Sequence, residues 1–149
     1  MRAVVQRVRG ARVEVEGRVT GAIDRGLLVL IGAAPADTPA EVDALAEKIA
    51  GLRIFADAEG KMNLDVTQVG GAVLAVSQFT LFGDCRKGRR PSFQSAAGPD
   101  HGNAMYTRYV EATRGLGLRC ETGIFGAMMD VHLLNDGPVT LLLDTTRLF

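Results

Sequence analysis

The spacing of apolar residues predicts that the chain begins with several β-strands. Apolar and polar residues alternate in two early segments, as they do in strands with one buried face, and Gly10 and Gly17 stand where these segments would turn. A later segment is apolar at every position and lies between two glycines, which is typical of a central strand buried on both faces. The predicted strands are residues 3–8, 12–16, 19–23 and 27–31.

Two segments have the pattern of amphipathic helices. Thr38, Pro39 and Glu41 combine an N-cap, a proline at the first helical position and the glutamate of a capping box. The first helix should end near Gly51, with a buried face of Val42, Leu45, Ala46 and Ile49. The second should extend from about residue 100 to residue 116, with a buried face of Met105, Tyr106, Tyr109, Val110 and Thr113.

Short apolar runs predict the remaining strands. These are residues 52–55, 61–66, 73–76, 118–122, 129–134 and 139–144. Because runs of strands surround only two helices, the pattern predicts one α+β domain over residues 1–149 with mostly antiparallel sheet. Residues 145–149 show no pattern and are expected to form a tail.

Composition and charge fit an ordinary globular protein. The 149 residues are 47% hydrophobic and 23% charged, and 17 basic residues balance 17 acidic ones, so any contact with RNA must come from a local patch. No apolar run is long enough for a signal peptide or a membrane span, and we predict a cytoplasmic protein. Cys85 and Cys120 form no C-x-x-C pair, which favours reduced thiols over a disulfide or zinc site.

The most unusual stretch begins where the strand at residues 73–76 ends. Ser77, Gln78 and Thr80 place hydrogen-bonding side chains where a buried strand would carry apolar ones, so they either find internal partners or face a ligand. A basic loop (residues 86–90) follows, and its cations suit a phosphate backbone. Each feature alone is more often structural, but their adjacency favours a functional site. The cations are Arg86, Lys87, Arg89 and Arg90.

The usual hydrolase and metal patterns are not found in the sequence. His101 and His132 are not spaced with carboxylates in the manner of metal ligands. Ser77 is not in a G-x-S-x-G elbow, and no histidine is brought to it by sequence spacing, so a nucleophilic Ser77 or Thr80 is the lesser alternative. We therefore expect neither a metal ion nor another cofactor.

A second unusual feature is the segment Asn-Asp-Gly-Pro-Val-Thr at residues 135–140. Asp-Gly between strands is typical of a hairpin, but Pro138 removes a backbone donor where the next strand should pair. Only about 5–6% of X-Pro bonds in folded proteins are cis, so the sequence alone favours trans. A cis bond would aim the carbonyls of Gly137 and Pro138 in one direction, as a rigid pair of acceptors for an ammonium group.

Four motifs in register carry a resemblance to a known family. They are Ser-Gln-Phe-Thr-Leu at 77–81, Gly-Arg-Arg-Pro-Ser-Phe at 88–93, Glu-Thr-Gly-Ile-Phe-Gly-Ala at 121–127 and Asn-Asp-Gly-Pro-Val-Thr at 135–140. In this order they resemble the D-aminoacyl-tRNA deacylases, the D-tyrosyl-tRNA deacylase family, and the resemblance extends to about residue 144. It implies barrel-like packing of two β-sheets with two helices on them. It also implies a homodimer that hydrolyses the ester between tRNA and a D-amino acid or glycine.

The resemblance also implies roles for single residues. Catalytic positions would be Ser77, Gln78, Phe79 and Thr80, with the 2′-OH of the terminal ribose assisting the reaction. Gly137 and Pro138 would enter the partner subunit's pocket as a Gly-cisPro motif that rejects L-amino acids. The remaining substrate-binding residues would be Arg7, Phe125 and Met129, and the RNA-binding residues would be Arg86, Lys87, Arg89 and Arg90. Two rival hypotheses are a non-catalytic RNA-binding module and a small esterase with a Ser77 or Thr80 nucleophile.

Overall fold

The computed structural model describes residues 1–148, and Phe149, at the end of the predicted tail, lies outside them. None of the helices among the described residues is long and apolar enough to cross a membrane. In chain order the elements are β1 (Arg2–Val15), β2 (Arg18–Ile23), β3 (Gly26–Gly32), α1 (Pro39–Ala50), β4 (Phe55–Ala56), β5 (Met62–Leu64), β6 (Ala72–Ser77), a 3₁₀ turn (Phe79–Phe82), α2 (Pro99–Gly115), β7 (Cys120–Thr122) and β8 (Asp130–Asp144).

Strand β1 is the axis of the main sheet. One edge pairs with β3 near the start of β1 and with β2 near its end, while the other edge pairs with β8 along most of its length. The predicted turn at Gly10 is wrong, because β1 continues through this residue. Gly10 pairs with Leu134 of β8, and the chain accommodates the glycine by a shift of register after Val8 instead of a reversal.

The sheet continues from β3 through two parallel neighbours, β6 and β7, and then curls back towards β2. A Cβ at Gly21 of β2 would lie 2.4 Å from the carbonyl oxygen of Thr122 in β7. Arg119 closes the same gap by donating Nη2 to the carbonyl of Ala22 at 3.1 Å. With a second, two-stranded sheet of β4 and β5, this confirms the predicted barrel-like α+β fold with mostly antiparallel pairing.

The two faces of the sheet bury two apolar clusters. Alternate residues of β3, such as Leu27 and Val29, pack with both helices, whereas Leu28 faces the inside of the curl with Val13 and Leu74. The run at 27–31 is therefore buried on both sides, as its continuous apolar sequence predicts.

Both helices follow the sequence prediction. Thr38 and Glu41 form the capping box of α1, and the buried residues of each helix are the predicted ones. The Tyr106 hydroxyl of α2 donates to the carbonyl of Ala75 in β6 at 2.9 Å. This hydrogen bond fixes α2 to the strand that ends at Ser77. Burial raises the pKa of Tyr106 to about 12, so the hydroxyl keeps its proton as a donor.

The segment at residues 129–144 differs from the prediction of two strands joined by a hairpin turn. Both halves belong to β8 and pair with β1, end to end. Gln6 pairs with Thr140 and Val8 with Asn135, so the residues between bulge out opposite Arg7. Since both halves find a partner in β1, they do not pair with each other, and Pro138 lies in the bulge where no ladder donor is needed.

The close approach of β2 to β7 gives a prediction for stability. Gly21→Ala should lower the free energy of unfolding by about 1–3 kcal/mol, since the new methyl group overlaps the backbone of Thr122. Gly10→Ala is the matched control, because its Cβ would have 3.7 Å to the nearest atom. Urea denaturation of both variants checks this, and equal stabilities would mean that the curl is not closed at Gly21.

Candidate active site

The polar segment begins at the last ladder position of β6. Ser77 pairs with Ile31 of β3, and the amide of Gln78 donates to the Ile31 carbonyl at 2.8 Å before the chain leaves the sheet. The adjacent β3 residue is Gly32, where a Cβ would lie 2.8 Å from the Gln78 carbonyl oxygen and 3.3 Å from the ring of Phe82. The missing side chain of Gly32 thus lets the 3₁₀ turn lie directly against the end of β3.

The 3₁₀ turn presents two backbone donors. The first amides of a helical turn have no partner within the turn. Among the described residues, neither the Phe79 amide nor the Thr80 amide donates a hydrogen bond, whereas that of Leu81 donates to Gln78 at 3.3 Å. Phe79 and Thr80 are also solvent-exposed. Adjacent free amides of this kind are suited to holding a negatively charged oxygen.

The polar side chains of this segment are mainly local in their contacts. Gln78 Nε2 donates to Thr80 Oγ1. An amide donor cannot remove the proton of a hydroxyl, so this contact does not activate Thr80 as a nucleophile. His101 contacts the carbonyl of Asp37 at 3.0 Å, and His132 lies 3.5 Å from Glu14 in another part of the sheet. Neither histidine contacts Ser77 or Thr80.

The Gly137–Pro138 bond is cis, as the motif resemblance implied. The general preference of X-Pro bonds for trans had favoured the opposite. Both residues are exposed at the top of the β8 bulge. Gly137 has φ +128°, and a Cβ there would lie 2.8 Å from Val139 Cγ2 and 2.9 Å from Arg7 Nη2. The positive φ of position 137 therefore favours glycine, and a larger residue would also displace the side chains of Val139 and Arg7.

Arg7 holds the base of this bulge. Its side chain is 12% exposed, and Nε donates to the carbonyl of Asp136 at 3.1 Å while lying 3.4 Å from the carboxylate of the same residue. Nη1 donates to the carbonyl of Ile54 on the other side. Three contacts of one guanidinium thus fix the bulge relative to the neighbouring loop.

Asn135 is a residue whose contribution sequence reasoning missed. Its Nδ2 donates to the carbonyls of Arg7 and Val139, at 2.9 and 3.0 Å, and closes the bulge at its neck. Thr140 donates to the Asn135 side-chain oxygen at 3.4 Å. An asparagine at the first position of a turn is a known sign of such closure, but the hairpin interpretation gave its side chain no partner.

The two groups of candidate residues lie far apart on one chain. Arg7 lies four positions along β1 from Ala3, which pairs with Ile31 and through it reaches Ser77. Along the strands this is roughly 13 Å, and the three strand spacings from β8 to β6 add roughly 14 Å across them. On one chain, the Gly137 bulge and the free amides are therefore too far apart to contact the same small substrate.

Phe125 and Met129 occupy the connection between β7 and β8. The Phe125 ring lies 6.0 Å from the ring of Tyr106 on the helix side of the sheet. Met129 packs against the apolar cluster inside the curl of the sheet, which contains Leu28. Its sulfur would lie 2.5 Å from a Cβ at Gly123. Both are half-buried, and they belong to different apolar clusters. Their predicted role in substrate binding stays a prediction.

The basic loop is closed at its base by a backbone bridge. Asp84 and Ser92 exchange two hydrogen bonds of 2.8 and 3.0 Å. Arg86 forms a bidentate pair with Asp84, and these hydrogen bonds lower the pKa of the carboxyl to about 2. In the described chain no carboxylate lies within 4.0 Å of Lys87, Arg89 or Arg90. These three cations are exposed.

One concave surface of the chain lies away from these residues. A groove of about 430 Å³ is lined by residues of β1, β2 and β8, among them Arg9, Arg12 and Leu134, and contains none of the predicted catalytic side chains. No group of three or more potential metal ligands is found within residues 1–148.

Comparison with known proteins identifies the family. The family model described as D-Tyr-tRNA(Tyr) deacylase matches residues 4–144. A protein of Koribacter versatilis named D-aminoacyl-tRNA deacylase is 62% identical over the full length of both chains.

Two solved structures share the fold. One, described as a c-Myc DNA Unwinding Element Binding Protein, is 40% identical with a TM-score of 0.91, over 97% of this chain and 98% of that one. The other is described as a probable eukaryotic D-amino acid tRNA deacylase and has a TM-score of 0.83 at 19% identity, over 95% of this chain and 97% of that one. From the family match over most of its length and the 62% identity, the chain belongs to the D-Tyr-tRNA(Tyr) deacylase family.

Proposed function

We propose that the chain is an editing hydrolase that cleaves the ester of D-aminoacyl-tRNA, and of glycyl-tRNA mischarged on tRNA-Ala, to free amino acid and tRNA. The family match over residues 4–144 and the full-length similarity to a named deacylase support a hydrolase of this type. The single structural observation that carries the proposal is the pair of free amides at Phe79 and Thr80.

The free amides would stabilise the transition state. Water attacks the ester carbon, and the carbonyl oxygen becomes negatively charged as the tetrahedral intermediate forms. The amides of Phe79 and Thr80 would donate to this oxygen, which preorganised donors stabilise strongly. The bond to the ribose 3′ oxygen then breaks, and that oxygen takes up a proton. The 2′-OH beside it would assist the proton transfers, since no basic side chain contacts Ser77 or Thr80 among the described residues.

The Gly137–Pro138 bulge would act as the chiral filter of a homodimer. Because the bulge and the free amides are roughly 20 Å apart on one chain by the sheet spacings, the bulge would enter the site of the partner subunit. Its carbonyls would accept hydrogen bonds from the substrate ammonium group. Its wall would leave no room for a side chain in the L position, so glycine and D-amino acids would pass. Arg7 and Asn135 would keep the wall rigid.

The exposed cations of the basic loop would bind the tRNA part of the substrate. Lys87, Arg89 and Arg90 are exposed cations that would contact tRNA phosphates, with a log-log salt dependence of about −0.7 per contact if the single-strand value applies. Arg86 is partly neutralised by Asp84 and would contribute less. An open alternative is that Arg89 or Arg90 pairs with a carboxylate across the dimer. The reaction as proposed uses no metal ion, and a tRNA substrate would fit a cytoplasmic location.

The second candidate function is nucleic-acid binding without catalysis. The three exposed cations favour it, and the solved structure at 40% identity is described as that of a DNA-unwinding-element binding protein. This function gives no role to the free amides or to the glycine at position 137. A general esterase with a Ser77 or Thr80 nucleophile is less well supported, because the hydroxyl of Thr80 contacts only Gln78 among the described residues.

Substrate selection tests the function directly. The purified protein should hydrolyse D-tyrosyl-tRNA and glycyl-tRNA in the presence of a chelator and leave L-tyrosyl-tRNA intact, because only the L form directs its side chain at the bulge. Release of labelled amino acid measures this. Binding without cleavage would favour the nucleic-acid module, and equal cleavage of D and L forms would contradict the chiral filter.

The identity of the attacking groups gives a second prediction. Thr80→Val should keep most of the activity, while a substrate with a 2′-deoxy terminal adenosine should lose most of it, on the order of 100-fold, as expected for a lost proton-transfer group. Single-turnover hydrolysis compares Thr80→Val with the wild type, and the 2′-deoxy substrate with the substrate that has the 2′-OH. The opposite result, an inactive Thr80→Val and an unaffected deoxy substrate, would favour the esterase mechanism.

The shared site predicts that activity depends on assembly. Light scattering should give twice the 15.8 kDa mass of one chain, and specific activity should fall as dilution separates the subunits. Sedimentation at the same concentrations gives the dimer fraction for comparison. A monomer with full specific activity would show that each chain carries a complete site, contrary to the proposal.

A further inference from the structure

The exposed rings of Phe79 and Phe93 connect two features that the proposed function uses separately. Their centroids are 5.1 Å apart with an interplanar angle of 71°, an edge-to-face contact. Phe79 is 54% exposed and begins the 3₁₀ turn that carries the free amides. Phe93 is 36% exposed and follows Ser92, the residue that closes the basic loop.

Among the described residues, the hydrogen bonds and ion pairs around the basic loop are made at its base, by Asp84 and Ser92. The bridge between Asp84 and Ser92 joins its two ends, and Arg86 pairs with Asp84. Neither contact reaches the residues of the 3₁₀ turn. The Phe93 ring does reach the turn, through Phe79. It also lies against Gly83, the residue after the turn, where a Cβ would lie 3.0 Å from Phe93 Cε1.

The loop needs such an attachment because its charges repel one another. Lys87, Arg89 and Arg90 lie within four residues and are all exposed, and Asp84 is already engaged with Arg86. Repulsion between like charges favours an extended loop that moves away from the body of the protein. An edge-to-face ring contact opposes this movement at low entropic cost, since both rings have few rotatable bonds.

From this arrangement we propose that Phe93 is a positioning residue: it fixes the distance between the basic loop and the free amides of Phe79 and Thr80. Phosphates bound by the loop then place the ester at the amides. The proposal rests on the proposed function of the site. It assigns to Phe93 an effect on tRNA substrates that acts through the loop, with no contact between Phe93 and the reacting atoms.

The experiment compares two substrates that differ in phosphates. D-tyrosyl-tRNA carries them, and D-tyrosyl-adenosine, with the same ester and 2′-OH, does not. Phe93→Ala should lower kcat/KM for D-tyrosyl-tRNA roughly tenfold, the factor that corresponds to losing one aromatic pair. The same variant should leave the rate with D-tyrosyl-adenosine unchanged. Phe93→Tyr keeps the ring edge and should restore the tRNA rate.

Val19→Ala is the matched control, because it shortens a 56% exposed apolar side chain on β2. It should leave both rates unchanged. A loss on both substrates by Phe93→Ala would overturn the proposal, since the ring would then support the amides themselves or stack on the adenine. An unchanged tRNA rate would overturn it as well. Wild-type protein that cleaves neither substrate would instead refute the proposed function.

A second measurement uses tRNA alone. Replacing Lys87, Arg89 and Arg90 together by alanine should lower kcat/KM in the wild type and flatten its salt dependence. In the Phe93→Ala background the same replacement should cause little further loss, because the loop is already displaced. Such non-additivity is expected of groups that act as one unit. Additive losses would mean that Phe93 and the cations act independently, and the proposal would be wrong.

Discussion

Strand β1 is hydrogen-bonded along both edges, and the rest of the architecture depends on this double pairing. One edge takes β3 and β2 in succession, while the other takes both halves of β8. Because β1 supplies a partner to each half of β8, the residues between them are free to leave the ladder. The Gly137–Pro138 bulge is the consequence, and Arg7, which lies opposite it, holds it in place.

The same sheet sets the position of the second group of residues. The parallel pairing of β6 with β3 ends at Ser77, and the missing side chain of Gly32 lets the 3₁₀ turn fold directly against the sheet. The backbone amides of Phe79 and Thr80 are left free there, and they could bind a negatively charged oxygen in place of a charged side chain. The proposed site would use these backbone groups to stabilise the oxyanion, so it would need no catalytic triad and no metal ligands.

The bulge and the free amides lie at different places on one chain. Their separation of roughly 20 Å, measured over the strand spacings, is too large for one amino acid ester to bridge. The proposed dimer resolves this by combining one group from each subunit. The design would make chiral selection a property of the assembly, because the wall that rejects L side chains and the amides that stabilise the oxyanion would come from different chains.

Local sequence patterns predict the elements whose residues interact with near neighbours in the chain. The capping box at Thr38, the buried faces of both helices and the apolar strand at 27–31 all follow from short-range periodicity and hydrogen bonding. Its motifs also indicated the family and the candidate site residues. Long-range pairing set the continuity of β1 through Gly10, the single strand β8 and the clamp made by Arg7 and Asn135. The physical reason is that each of these depends on a hydrogen-bonding partner more than one hundred residues away in the chain, which no local pattern can specify.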